Sequence, residues 1–415
     1  EFSESSLVCY ANNDSLNIEG TLGVYYPLTN VWKGKGGKVT WMRAGEDPAK
    51  IYALLDRYEI QMRYSKYTAD SVSFRHARFF PTAILGKLED KVLADVTIAN
   101  ATYPRFYSYG NLIGIARIFP NMDYLGGFAI EGSRVIGSGS ASHDARLFFK
   151  RDGHDFVTAA SRTFIIYPDR INANNASVTI YHDNDSIFHP GLQLKYLDEK
   201  KTLSITRDER TANISPWFDS FHQIEIYCDA LYYKVGDTRI SFEVMANMGK
   251  ERKAIFESSN CYSQYRYERI QGMDEVNPLD VISRYSNHLR TREITLEGLT
   301  GYMNKPAEQV EWILLNLGNR GFLVYEPSTR VAHLKDKLFN YVKARNAKAD
   351  YDVISYNSTV TDLPNAVLNL ETFDLKIQGV SMVALSDSQG VYIYPIDSVV
   401  VLKKNMDFKF TGKIE

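Results

Sequence analysis

Apolar and polar residues alternate through seven separate segments: SVTIYHD (177–183), LQLKYL (192–197), TLSITRD (202–208), HQIEIYCD (222–229), RISFEVM (239–245), LKIQGVSMVAL (375–385) and SVVVLKK (398–404). Successive side chains of a strand point to opposite faces, so a period of two marks a strand with one face buried. Turn-forming stretches, HDND (182–185), LDEKK (197–201) and VGDT (235–238), separate the segments. The chain is therefore expected to be mainly β, with stacked, solenoid-like or sandwich layers.

Asp-Ser occurs six times, at Asp14, Asp70, Asp185, Asp219, Asp387 and Asp397, and five of the pairs lead into Leu16, Val72, Ile187, Phe221 or Val399. The physical reading is a recurring turn-to-strand junction, in which Asp and Ser satisfy backbone donors ahead of an inward apolar residue. Irregular separations make any repeat degenerate. Before residue 270 one helix is expected, near 48–57. In DPAKIYALLDRY, Asp47 would cap it, Pro48 would take its first position, and Ile51, Leu54, Leu55 and Tyr58 would share a face.

From Leu279 to Arg345 the pattern changes to LDVISRYSNHLR, TLEGLTGYM, PAEQVEWILLNLG, GFLVYEPSTRVAHL and KDKLFNYVKAR. Val310, Ile313, Leu314 and Leu317 make an apolar helical face, Pro306 opens that helix, and Gly318 with Gly321 ends it. FLVYEPSTRVAHL reads as a hairpin turning at Pro327-Ser328. The β pattern resumes at DYDVISYNSTV (350–360). The expected organisation is a β-rich region over 1–275, a helical subdomain over 276–345, and a β-rich region over 346–415 that continues the same sheet system.

In element order, and in the NRGFLVY passage from last helix to hairpin, residues 279–345 resemble the winged-helix family. That resemblance implies a small α/β subdomain inserted between β layers, and a fold often used to read DNA. The texture of GTLGVYYP (20–27), GKGGKVTW (34–41), ADSVSF (69–74) and DSVVVLKK (397–404) is similar to that of the large β-repeat proteins of bacterial cell envelopes. It implies a scaffold placed in the envelope or periplasm. Glu1 begins no signal sequence, EFSESS reads as an artificial edge, and DFKFTGKIE alternates to the last residue, so a piece of a longer chain is expected, with any signal peptide or anchor outside it.

The chemistry of the inserted segment argues against DNA. A base-reading helix presents Arg, Lys, Asn or Gln to the groove, whereas 306–317 carries Glu308 and Glu311 and no basic residue. From His288 to Arg345 nine Lys/Arg face six Asp/Glu, with the excess mostly in Lys335, Lys337, Lys343 and Arg345 beyond the hairpin. A net charge of −2 over 415 residues supplies no field to gather phosphates. Nucleic acid is thus an unfavoured partner. Protein partners, or the rest of a longer chain, are favoured, with carbohydrate as the alternative.

Other motifs fail on spacing. WKGKGGKVTW lacks the Gly at Trp32 and the Ser or Thr at Val39 that a phosphate loop needs, and is expected to be a Gly-rich turn feeding a strand from Lys38 to Met42. Trp32 and Trp41, with Tyr25 and Tyr26, are either core or a platform for sugar rings. YHDNDSIFHPG gathers His182, Asp183, Asp185 and His189, yet Phe188 and Leu194 stand where a calcium loop needs Gly and Glu. VIGSGSASHDA brings Ser138, Ser140, Ser142, His143 and Asp144 together without a nucleophile elbow. No pair among 50 acidic residues is singled out for glycoside hydrolysis. Three cysteines, Cys9, Cys228 and Cys261, allow at most a Cys228–Cys261 bridge, and no stretch reaches the roughly 20 apolar residues of a membrane helix. No catalytic, cofactor-binding or metal-ligating residue is assigned, and the chain is expected to be a non-enzymatic scaffold or interaction protein. The alternative is a carbohydrate-binding or carbohydrate-active β domain.

Overall fold

The computed structural model describes residues 1–414 except 141–142, 208–214, 246–252, 273–274, 328, 350, 352, 361, 387–390 and 410. Strands take up 51% of the chain and helices 15%, so the protein is mainly β, built on a large antiparallel sheet. Among the described residues the pairing closes into no barrel and forms no clear solenoid. The chain divides into two compact units, 1–176 with 195–199, and 177–194 with 200–415.

In the first unit the strands pair antiparallel throughout a long ladder. Lys38–Thr40 pairs with Ile51–Leu54, which pairs with Lys66–His76, and the ladder continues through Ile84–Lys91, Arg105–Ser108, Met122–Glu131, Arg134–Ser138 and Thr163–Ile166. Inward positions supply the core: Phe74 stacks on Phe106 at 4.3 Å between centroids, and the edge of Trp41 meets Phe74 at 5.1 Å. Trp32 and Trp41 are both buried, so neither offers a sugar platform. The Gly-rich turn falls as expected at Gly36 and Gly37, whose φ values of 71° and 123° suit glycine, and the strand it feeds is Lys38–Thr40.

The helix expected near 48–57 is not there. Asp47 does cap a turn, accepting from the Ala49 amide at 2.9 Å, but Ile51–Leu54 and Arg57–Gln61 are strands. Ile51, Ala53 and Leu55 are buried while Leu54 is 46% exposed, a period of two. Leu54 and Leu55 fit either period; ladder hydrogen bonds to both neighbouring strands decided between them.

The Asp-Ser pairs divide. Asp14, Asp185 and Asp397 stand at strand entries, whereas Asp70 lies within Lys66–His76 at a register shift and Asp219 ends a strand. Asp387 lies outside the described residues.

In the second unit two antiparallel ladders lie in the large sheet, and Val383–Ser386, Val391–Pro395 and Gly412–Ile414 form a small separate sheet. One ladder runs Thr202–Thr206, Ala230–Lys234, Arg239–Glu243, Ala366–Asn369, Leu375–Gln378 and Val399–Leu402. The other runs Trp217–Asp219, Ile224–Tyr227, Ala254–Ser258 and Ser355–Ser358. Strands on both sides of the helical segment therefore pair directly. Cys228 and Cys261 are buried as thiols with no bridge between them, and burial pushes the Cys228 thiol up to about 12.

The helical segment contains α1 (Gln264–Gln271), α2 (Pro278–Leu289), α3 (Leu296–Met303), α4 (Ala307–Asn319) and α5 (Asp336–Arg345). Its own three-stranded sheet is formed by Glu293–Thr295, Val331–Leu334 and Leu323–Glu326. Side-chain caps start three helices: Ser263 accepts from the Arg266 amide, Asn277 from Leu279 and Thr295 from Gly298. Val310, Ile313, Leu314 and Leu317 are buried in one cluster with Leu279, Leu299, Phe322 and Leu338. No described helix is long and apolar enough to cross a membrane.

Candidate functional site

Among the described residues, several of the groups singled out in the sequence are held by local contacts. His189 is buried, with its Nε2 2.9 Å from the Ser215 carbonyl and its Nδ1 accepting from the Gly191 amide at 3.1 Å. Both ring nitrogens are thus committed to backbone and none is left for a metal. His182 lies flat against Phe373, 3.7 Å between centroids, beside the hairpin turn at Asp183. Among the described residues no three His, Cys, Asp or Glu side chains gather as a cation site. Ser142 lies outside the described residues, and Ser140 closes a local turn with His143, whose amide donates to its hydroxyl at 3.1 Å.

The second unit carries a groove of about 920 Å³ between α1, α4 and the strands Ile224–Tyr227 and Ala254–Ser258. Local sequence explains each wall. Arg266 and Arg269 are three apart on α1, hence on one face. On α4 the buried face uses Val310, Ile313, Leu314 and Leu317, which leaves Trp312 and Leu315 outward, 65% and 43% exposed. Tyr265 of α1, 69% exposed, completes an apolar rim. At the floor the Tyr341 hydroxyl is buried without a hydrogen-bond partner, the Ser263 amide facing it outside bonding geometry.

The groove carries an excess of positive charge. Arg266 makes a two-pronged contact with Glu257, one arm at 2.6 Å, and Lys337 meets Glu225, so these four charges cancel. Arg269 and Arg320 have no acidic partner among the described residues, and Arg320 donates only to Asn316, at 2.8 Å. Burial, then the neighbouring Arg269 and Arg266, lower the Arg320 pKa, which shows the three guanidinium groups acting on one another. Two unmatched arginines beside an exposed indole form a receptor for an anionic group attached to an apolar one.

Of the basic residues expected to gather beyond the hairpin, Lys337 is in the buried pair, Lys335 lies over the Phe218 ring, where burial brings its ammonium down to about 7, and Arg345 lies over the Tyr267 ring at 5.8 Å. Within the hairpin, Arg330 contacts Glu297 at 3.2 Å. Tyr325 donates to Glu311 at 2.9 Å, and burial with that bond pushes the phenol up to about 12. The sequence reading missed the groove residues. One signal was available: Trp312 falls off the apolar phase of α4, on a face otherwise carrying Glu308 and Gln309. Comparison with protein-family models, with curated proteins and with solved structures gives no match.

Proposed function

We propose that the protein is a non-enzymatic scaffold or interaction protein of the cell envelope, and that the groove beside α4 docks an acidic protein segment bearing a bulky apolar residue. The observation that carries this is the exposed Trp312 and Leu315 flanked by the unmatched Arg269 and Arg320. Tryptophan and arginine dominate the energetics of protein interfaces, and a docking segment that supplies carboxylates would match both guanidinium groups. We also propose that residues 279–345 are a winged-helix-like subdomain, supported by the order α2, strand, α3, α4, strand, strand. In this reading α4 has given its outward face to protein contact: Glu308, Trp312 and Leu315 would meet a phosphate backbone with an acid and two apolar groups.

Trp312 is also what favours the carbohydrate alternative, since an exposed indole stacks on sugar rings. Trp32, Trp41 and Trp217 are buried and add nothing to that reading. A fluorescent peptide of alternating glutamate and leucine, titrated onto the full chain, tests the proposal. Binding should weaken with salt, and Trp312→Ala or Arg320→Ala should each weaken it at least tenfold without lowering the melting temperature. Equal affinity for a lysine-for-glutamate peptide would sink the reading. Binding of neutral oligosaccharides that Trp312→Ala abolishes would transfer the groove to carbohydrate.

A further inference from the structure

A second cavity, of about 380 Å³, opens in the first unit beside the Asp47 turn. That volume lies within the range of small-molecule sites. Its apolar wall includes the buried Ile51, Ile118 and Val135. Into this wall the strand Lys66–His76 delivers His76, 6% exposed, its ring stacked on Phe79 at 4.1 Å and 13°. The Nδ1 of His76 is buried and has no partner in hydrogen-bonding geometry, the residue's own backbone facing the ring outside it. Burial, then the charge of Arg78, hold the imidazole down to about 4, so it is neutral at physiological pH. A buried, uncharged ring nitrogen left unsatisfied is costly unless something else satisfies it.

Two charges of opposite sign line the same cavity. Burial raises the Glu46 pKa and Arg78 opposes the shift, so the two side chains act on one another. No ion pair joins them among the described residues. Arg78 donates instead to the Ile118 carbonyl at 2.9 Å and lies beside the Phe79 and Phe119 rings. Asp47 and Lys50, also lining the cavity, pair with each other at 3.2 Å and compete for neither. An acid and a base that share a cavity without neutralising each other are matched together by a ligand carrying both signs.

We propose that this cavity binds a small zwitterion with an apolar body, namely a free α-amino acid with an aromatic or branched side chain. Its carboxylate takes the Arg78 guanidinium, its ammonium takes the Glu46 carboxylate and the neutral His76 nitrogen, and its side chain packs on the isoleucine and valine wall. A cationic imidazole would repel the ammonium; the neutral one accepts from it. The site involves none of the groove residues and stands or falls independently of the docking reading.

Calorimetry on the full chain at pH 7 tests it with three probes that share one aromatic body: L-phenylalanine, phenethylamine and 3-phenylpropionate. L-phenylalanine should bind saturably, with the amine and the acid each at least tenfold weaker. Glu46→Gln should weaken L-phenylalanine at least tenfold without lowering the melting temperature, Arg78→Met should weaken it at least tenfold, and Trp312→Ala should leave it unchanged. Absence of L-phenylalanine binding, or 3-phenylpropionate binding as tightly as L-phenylalanine, or an undiminished affinity in Glu46→Gln, would overturn the assignment.

Discussion

The Lys337 ammonium is hydrogen-bonded to the Glu225 carboxylate where both side chains are almost wholly buried, 7% and 4% exposed. Lys337 lies on α5 and Glu225 on the strand Ile224–Tyr227, so the pair fastens the helical segment to the sheet. Each partner makes a further bond: Lys337 also donates to the Arg320 carbonyl at 3.2 Å, and Tyr227 donates to Glu225 at 3.0 Å. Removing one partner of a buried pair strands the other charge and costs about 3–5 kcal/mol, whereas replacing both by apolar residues is often neutral. Lys337→Ala should therefore destabilise the second unit by about that amount in chemical denaturation. Lys337→Met combined with Glu225→Leu should recover most of the loss; equal destabilisation by single and double variants would contradict this.

Leu314 and Leu317 are 0% and 2% exposed in the helical cluster. Truncation of a fully buried leucine to alanine costs about 2–5 kcal/mol through lost transfer energy and the cavity left behind. Leu314→Ala should fall in that range, and Leu315→Ala, on the outward face, should cost far less. Denaturation curves of the two variants that coincide would show that the phase of α4 is wrong.

His189 makes part of the second unit acid-sensitive. Its Nδ1 accepts from an amide, its Nε2 faces a carbonyl, and burial holds the ring down to about 3 against an ordinary 6.5. The folded pKa is depressed, so this stability is complete above pH 6.5 and is lost as pH falls toward 3, where the unfolded chain binds a proton the folded chain refuses. Each pH unit within that window removes about 1.4 kcal/mol. His189→Gln should flatten the fall in stability between pH 6.5 and 4.5, followed through the fluorescence of Trp217, whose ring lies 5.2 Å from His189. The first unit is a poorer place to look. There His76, held down to about 4, and Asp90, pushed up to about 7 chiefly by burial, act in opposite directions.

Duplex DNA should bind weakly, with a dissociation constant above roughly 10⁻⁴ M at physiological salt. Non-specific affinity comes from counterions released when several Lys or Arg reach phosphates together, and here Lys337 is buried in an ion pair while Arg330 is occupied by Glu297. A fluorescence titration against mixed-sequence duplex decides the matter. Micromolar binding with a steep salt slope, lost in Arg330→Ala and Lys335→Ala, would replace the docking reading with a nucleic-acid role.

What depends on short-range periodicity can be read from the residues alone. Alternation in TLSIT and RISFE, the glycine turn at Gly36-Gly37, and the buried face of Val310, Ile313, Leu314 and Leu317 were all legible, because side-chain direction follows directly from backbone geometry. Matters that depend on which surfaces meet were settled by packing. IYALLDRY fits a helix as well as a strand, and became strand because neighbours on both sides offered ladder hydrogen bonds. In HQIEIYCD the alternation puts Ile224 and Ile226 inward and Glu225 outward, yet Glu225 is buried too, since α5 brings Lys337 over that face of the strand. Both candidate sites have the same character: Tyr265, Arg320 and Trp312 in one, and Glu46, His76 and Arg78 in the other, come from segments whose spacing carries no common signal. Their chemistry arises from proximity across the fold, and proximity is set by packing that no local pattern encodes.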